Sequence, residues 1–199
     1  MNNIIEPYIK TRKAGHRFGN RSSKRTDVLN QETIKVLKTL LPDSSNWEFK
    51  TEYKINCARG DDFTVDIAAF YKNQLRCIFL LKAVESSFNK NRHNYANTWI
   101  GETSRIFDGP AGANNLAVIF IDWVPFEVPA PTPTNPEKVE TTKMTDMTPA
   151  ETGWNNRLKN LFENTSVTYC KIQFDYNDLN PDNITGTEKL VNTLRGIIL

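Results

Sequence analysis

Two neighbouring runs of strand-forming residues each carry a charge where a sheet interior should be apolar. Phe63–Tyr71 reads FTVDIAAFY and Leu75–Val84 reads LRCIFLLKAV, joined by Lys72-Asn73-Gln74. Their β-branched and aromatic content predicts strands, and the short link predicts a hairpin. Asp66 interrupts the first run and Lys82 the second, which also carries Arg76 near its start. A charge in a low-dielectric interior costs several kcal/mol unless it is paired or bound to an ion. A hairpin centred on Asn73 sets Asp66 opposite position 80 and Lys82 opposite position 64. Side chains two apart share a face, so Asp66, Leu80 and Lys82 project together. Ile67, Ala69, Phe79 and Leu81 then fill the other face. Such a pair has two readings. One is a buried ion pair that closes off the sheet. The other is a metal site, in which Asp66 offers hard oxygen to Mg²⁺ and Lys82 orients or deprotonates an attacking water.

The rest of the chain predicts a mixed α/β domain around this hairpin. Thr26–Leu41 (TDVLNQETIKVLKTLL) has an apolar stripe at helical spacing, with Thr26 or Asp27 as cap. Trp47–Ile55 (WEFKTEYKI) alternates as a half-buried strand apart from Thr51. Asn91–Phe107 reads as a helix with Tyr95, Trp99, Ile100 and Ile106 inward. Asn115–Val124 (NLAVIFIDWV) is apolar enough to be a central strand buried on both faces. A helix over Thr152–Phe162, a strand over Val167–Phe174 and a closing helix or strand-like tail over Glu188–Leu199 complete the order. The expected fold is α/β, a central mixed sheet of about five strands flanked by helices. Trp47, Trp99, Trp123 and Trp154 fall on apolar stripes and read as core. Residues 125–150 hold six prolines and many threonines and read as a long loop.

Charge and cysteine count narrow the function. The net charge of +2 conceals a basic segment, residues 1–25, with seven Lys/Arg against one acid. The expected organisation is therefore a basic N-terminal arm at 1–25 and a single domain at 26–199. From Lys10 to Arg25 the arm shows spaced cations, Gly15 and Gly19 and no evident helical period, which predicts a flexible segment, either one that orders on a nucleic acid groove or a solvated tail that directs localisation. Three cysteines without a Cys-x-x-Cys pair exclude a disulfide scaffold and a Cys-based zinc site and suit a reducing cytoplasm. Two histidines leave almost no room for a His-based triad. No apolar run is long enough to span a membrane, and the N-terminus lacks the order of a signal peptide.

The spacing of Asp66 from Leu80-Leu81-Lys82, on a hairpin preceded by a helix and a strand, resembles the core of the PD-(D/E)XK nucleases. The following KAVESSFNKNRHNYANTWIGETSRIF resembles the segment after the catalytic lysine in type II restriction endonucleases. The resemblance covers roughly residues 28–124, with 167–174 as a fifth strand. It implies a restriction-endonuclease-like core and a Mg²⁺-dependent endodeoxyribonuclease that hydrolyses phosphodiester bonds in double-stranded DNA at a specific site, as a homodimer. It implies Asp66 as metal ligand and Lys82 as the residue acting on water. Position 65 is Val where the family has Pro. Position 80 is Leu where the family has a carboxylate or Gln, and Leu cannot ligate metal. Glu102, on the next helix, and Glu52, on the preceding strand, are the first substitutes. Glu102 is the expected second metal ligand, and Glu85, Glu32 and Asp62 rank behind them. Leu80 also supports the alternative of an inactive or structure-specific DNA-binding protein with the same fold.

Contacts to DNA are expected from two places. Lys10, Arg12, Lys13, Arg17 and Arg21 of the arm would neutralise phosphates. Asn89, Lys90, Asn91, Arg92 and Asn94, directly after the Lys82 strand, combine cations with amides able to read adenine.

Overall fold

The computed structural model describes residues 4–19, 21–57, 62–85, 88–107, 116–141, 166–178, 180 and 183–197. Four helices are described, α1 (Glu6–Phe18), α2 (Ser23–Leu40), α3 (Phe88–Phe107) and α4 (Thr187–Gly196), together with a short 3-10 turn at Ser44–Asn46. The strands are β1 (Trp47–Asn56), β2 (Asp62–Tyr71), β3 (Gln74–Ala83), β4 (Ala117–Pro125), β5 (Glu127–Pro129), β6 (Val139–Thr141) and β7 (Ser166–Phe174). β1, β2, β3, β4 and β7 form one mixed sheet in that order, and β5 pairs with β6. The first three strands run antiparallel, while β3, β4 and β7 are parallel. The expected α/β architecture with a five-stranded mixed sheet is therefore present. Every residue of β4 is buried, as its unbroken apolar run requires at the middle of a sheet covered on both sides. The expected helix at 152–162, with Trp154, lies outside the described residues.

The sheet separates two apolar clusters. On one face Leu29, Ile34, Leu37, Trp47, Ile67, Ala69, Phe79, Trp123, Ile172 and Phe174 pack with α1, α2 and α4. On the other, Val65, Ile78, Leu80, Val118, Phe120 and Tyr169 pack with Trp99 and Ile106 of α3. Trp47, Trp99 and Trp123 are all core residues, as expected. The residue that caps the start of α4 is Gly186, whose φ of 87° lies in the left-handed region. A Cβ there would overlap the Lys171 carbonyl oxygen, so only glycine permits this close approach.

Three expectations need correction. Residues 1–25 are not a separate flexible arm. Residues 6–18 form α1, and Ile4, Ile5 and Tyr8 enter the core. The Tyr8 ring meets Phe174 edge-on at 5.0 Å, and Trp123 Nε1 donates to the Ile4 carbonyl at 2.9 Å. The apolar positions 4, 5 and 8 carry helical spacing that the cations obscure. α2 starts at Ser23, three residues before the expected Thr26, with Ser22 rather than Thr26 or Asp27 at its N-cap. Finally, residues 127–141 are not an unstructured loop. β5 and β6 fold into a small hairpin that buries Val128, while residues 142–150 lie outside the described part. Among the described residues no helix is long and apolar enough to cross a membrane.

Candidate active site

The β2–β3 hairpin sets the site, through a register that its turn alone would not produce. Lys72 and Asn73 have φ of 49° and 64°, the signature of a two-residue type I′ turn. The turn pairs Tyr71 with Gln74 and Phe70 with Leu75. A bulge between Ala69 and Phe70 then shifts the ladder by one residue, so that Ala69 meets Cys77 and Ile67 meets Phe79. A one-residue slip exchanges the faces of a strand. The bulge thus restores the alignment expected for Asp66, although the turn is not centred on Asn73.

Paired residues between β2 and β3 end at Ile67 and Phe79. Beyond that point the Asp66 carboxylate takes the place of the missing backbone partner. The Leu81 N–H donates to Asp66 Oδ2 at 2.7 Å. Across the other edge of β2, Glu52 falls at the position opposite Asp66, in a gap of the β1–β2 pairing. Its φ of 48° is left-handed within a strand, where a non-glycine residue stores strain of about 1–3 kcal/mol. Both strands change face here. Trp47, Phe49, Ile67 and Ala69 belong to the α1–α2 side, whereas Tyr53, Ile55, Phe63 and Val65 belong to the α3 side. Strain is concentrated where the two acids meet.

Lys82, next to last in β3, lies beside Asp122 of β4, its partner in the parallel ladder. Its Nζ sits 3.5 Å from the centre of the Tyr95 ring on α3, a cation–π contact that holds the ammonium on the α3 side. Glu102, two turns further along α3, lies within electrostatic reach of both Asp66 and Lys82. Residues from β2, β3 and α3 thus converge.

Their charges are strongly perturbed. Burial raises the Asp66 carboxyl above its ordinary range, opposed by the Leu81 hydrogen bond; Glu52 raises it further and Lys82 lowers it. Burial lowers Lys82, while Asp122, Glu102 and Asp66 pull it back up. Burial, reinforced by the Asp66 charge, pushes Glu102 up to about 7. A half-buried carboxylate and lysine displaced toward neutrality are suited to proton transfer and to metal binding.

The Glu102 shift has a measurable consequence for stability. Its folded pKa of about 7 exceeds the ordinary 4.5, so the folded state binds more protons between those values. The cost of its charge is absent below about pH 4.5 and complete above about pH 7. Glu102→Gln is expected to gain stability over the native chain across that window, reaching roughly 1–2 kcal/mol after solvent screening is discounted. Urea midpoints in metal-free buffer from acid to mildly alkaline pH check this; a pH-independent difference would contradict the burial of the carboxylate.

The other expected residues sort clearly. Glu85 pairs with Arg25 at 2.9 Å, and Glu32 pairs with Lys10 and Lys35 at 2.8 and 2.6 Å; both acids are already neutralised. Asp62 is exposed and pairs loosely with Lys54 at 3.9 Å. Arg12 is not free to meet phosphate, contrary to expectation. Lys10 reaches Glu32 and Glu6. Arg12 is buried, donates to the Pro129 carbonyl at 2.8 Å and stacks over Tyr176. Lys13, Arg17 and Arg21 are exposed. Asn94 is exposed on α3, and its carbonyl accepts from Thr98 Oγ1. The side chains of Asn89, Lys90, Asn91 and Arg92 lie outside the described part; their backbone belongs to α3, which starts three residues before the expected Asn91.

Asp122 is a site residue that motif and spacing do not single out. It follows an apolar run on β4, is fully buried, and accepts a hydrogen bond from the Tyr169 hydroxyl at 3.3 Å. An acid inside an otherwise apolar, buried parallel strand is the signal that marks it. Among the described residues no three His, Cys, Asp or Glu side chains lie close enough to hold a metal by themselves. Mg²⁺ does not need three, since it is bound by one or two carboxylates together with water and substrate phosphate. Asp66 and Glu102 are two carboxylates within electrostatic reach of each other.

Compared with known protein families, with curated proteins and with solved structures, the chain finds no match in any of the three.

Proposed function

We propose that the chain is a Mg²⁺-dependent endodeoxyribonuclease of the PD-(D/E)XK kind, cutting double-stranded DNA at a specific sequence as type II restriction enzymes do. The observation that carries this reading is the convergence of Asp66, Lys82 and Glu102 where β2 parts from β3. The order helix, three antiparallel strands, helix, parallel strand agrees with it. Asp66 and Glu102 would hold Mg²⁺, which when bound neutralises phosphate charge and acidifies water. The Leu81 N–H fixes the Asp66 carboxylate. Lys82, held on Tyr95 with its pKa lowered by burial, orients the attacking water and takes up or releases its proton. Asp122, beside it in the ladder, steadies its charge. Glu52, across β2 from Asp66, takes a supporting role. Palindromic targets call for a two-fold dimer, and three free cysteines suit a reducing, cytoplasmic setting.

One observation favours a second reading. Leu80 is 6% exposed within the core on the α3 side, and no carboxylate stands at the third family position. On that reading the fold binds DNA, by sequence or by structure, without cutting it. Plasmid digestion separates the two. The nuclease reading expects discrete fragments with Mg²⁺, none with chelator, and none from Asp66→Ala. Duplex binding by the native protein without any turnover in Mg²⁺ would favour the second.

A further inference from the structure

The structure divides the cations of the N-terminal segment into two groups. Lys10, Arg12 and Arg25 are spent internally, on Glu32 and Glu6, on the Pro129 carbonyl and Tyr176, and on Glu85 and the Ala83 carbonyl. Lys13, Arg17, Arg21 and Lys24 are exposed around the corner between α1 and α2. No acid occurs from Lys13 to Arg25. The corner also displays Phe18, one of two large apolar side chains exposed among the described residues. Arg17 lies 5.0 Å and Lys24 4.9 Å from the centre of its ring. The ring therefore holds two cations in place from successive helices.

An exposed aromatic ring held among cations suits a particular kind of partner. A purely apolar surface would strip water from Arg17 and Lys24 without replacing it. A polyanion with apolar surface between its charges satisfies both the cations and the ring, and nucleic acid has that pattern in its phosphates, sugars and base faces. The corner is tied to the candidate active site. Arg25, next in the chain after Lys24, donates to the Ala83 carbonyl at 3.1 Å, and Ala83 directly follows Lys82 on β3.

We infer that the α1–α2 corner is a duplex-DNA docking tip, in which Arg17, Lys24, Lys13 and Arg21 neutralise backbone phosphates and Phe18 packs against the sugar between them. The inference rests on the nuclease reading and adds to it the element that grips the substrate away from the scissile bond. Phosphate contacts carry no sequence information, so the tip supplies affinity and not site choice.

The test is fluorescence anisotropy of two labelled duplexes of unrelated sequence across a salt series in the presence of chelator. Each lost phosphate contact flattens the dependence of log affinity on log salt by about 0.9. Arg17→Ala/Lys24→Ala is expected to flatten it by roughly 2 and to weaken both duplexes alike. Phe18→Ala is expected to weaken binding without changing the slope. Lys10→Ala, on the same helix but engaged with acids, is expected to leave the slope at the native value. A native slope in the double variant, or tighter binding of the native protein to anionic vesicles than to duplex, overturns the tip. If Asp66→Ala has meanwhile lost cleavage, the nuclease reading survives that result. A native protein that binds no DNA at all overturns both.

Discussion

Lys82→Ala is expected to lose at least about a thousandfold in DNA cleavage while keeping its fold and its affinity for duplex. Among the described residues Lys82 is the one cation that bears on Asp66, Glu102 and Asp122 together. Removing it takes away the group that handles the water. It also leaves mutually repelling carboxylates with less reason to ionise, so that Mg²⁺ must compete with protons more strongly. The residual activity of the variant is therefore expected to shift toward higher pH. Lys82→Arg should not restore cleavage, because a guanidinium neither releases its proton nor fits as a compact charge on the Tyr95 ring. Rates of plasmid nicking across pH, with urea midpoints as a control for folding, provide the check. A variant that cuts at the native rate would remove Lys82 from the mechanism.

Deletion of residues 1–18 is expected to unfold the protein and not merely to weaken its hold on DNA. Ile5 and Tyr8 are fully buried and Ile4 nearly so. Each such side chain contributes about 1.5–3 kcal/mol on burial, and the three together approach the whole stability of a typical domain, about 5–15 kcal/mol. The deletion also removes the partners of two polar groups, Trp123 Nε1 and the Pro129 carbonyl. Loss of near-UV circular dichroism and of cooperative unfolding is the expected result. A soluble truncated chain with a cooperative urea transition would show that α1 is dispensable. For this reason the tip is tested by substituting exposed side chains and not by removing the segment.

Much of the sheet is legible in local pattern. Alternation in β1, the apolar run of β4 and the paired runs of β2 and β3 all appear in the fold as strands. The break in alternation at Thr51 stands one residue from Glu52, where the backbone turns left-handed. The basic segment misleads because its cations dominate its composition, while the three apolar residues that decide its fate are few and lie at its start. Arg12 is the sharpest case, a cation in sequence and a buried structural donor in the fold.

Asp66 and Lys82 stand out from the amino-acid order alone, since a charge within an apolar strand is costly and local pattern exposes it. Which acids accompany them is a different kind of question. Glu102 stands twenty positions beyond Lys82, and only the packing of α3 over the sheet brings it to Asp66. Asp122 reaches Lys82 only through the parallel pairing of β3 with β4. Neighbours along a strand are set by covalent geometry, whereas neighbours across a ladder or beneath a helix depend on register and packing summed over the whole core. The bulge at Ala69 shows how finely that balance is drawn, because a shift of one residue decides which face Asp66 shares with its partners.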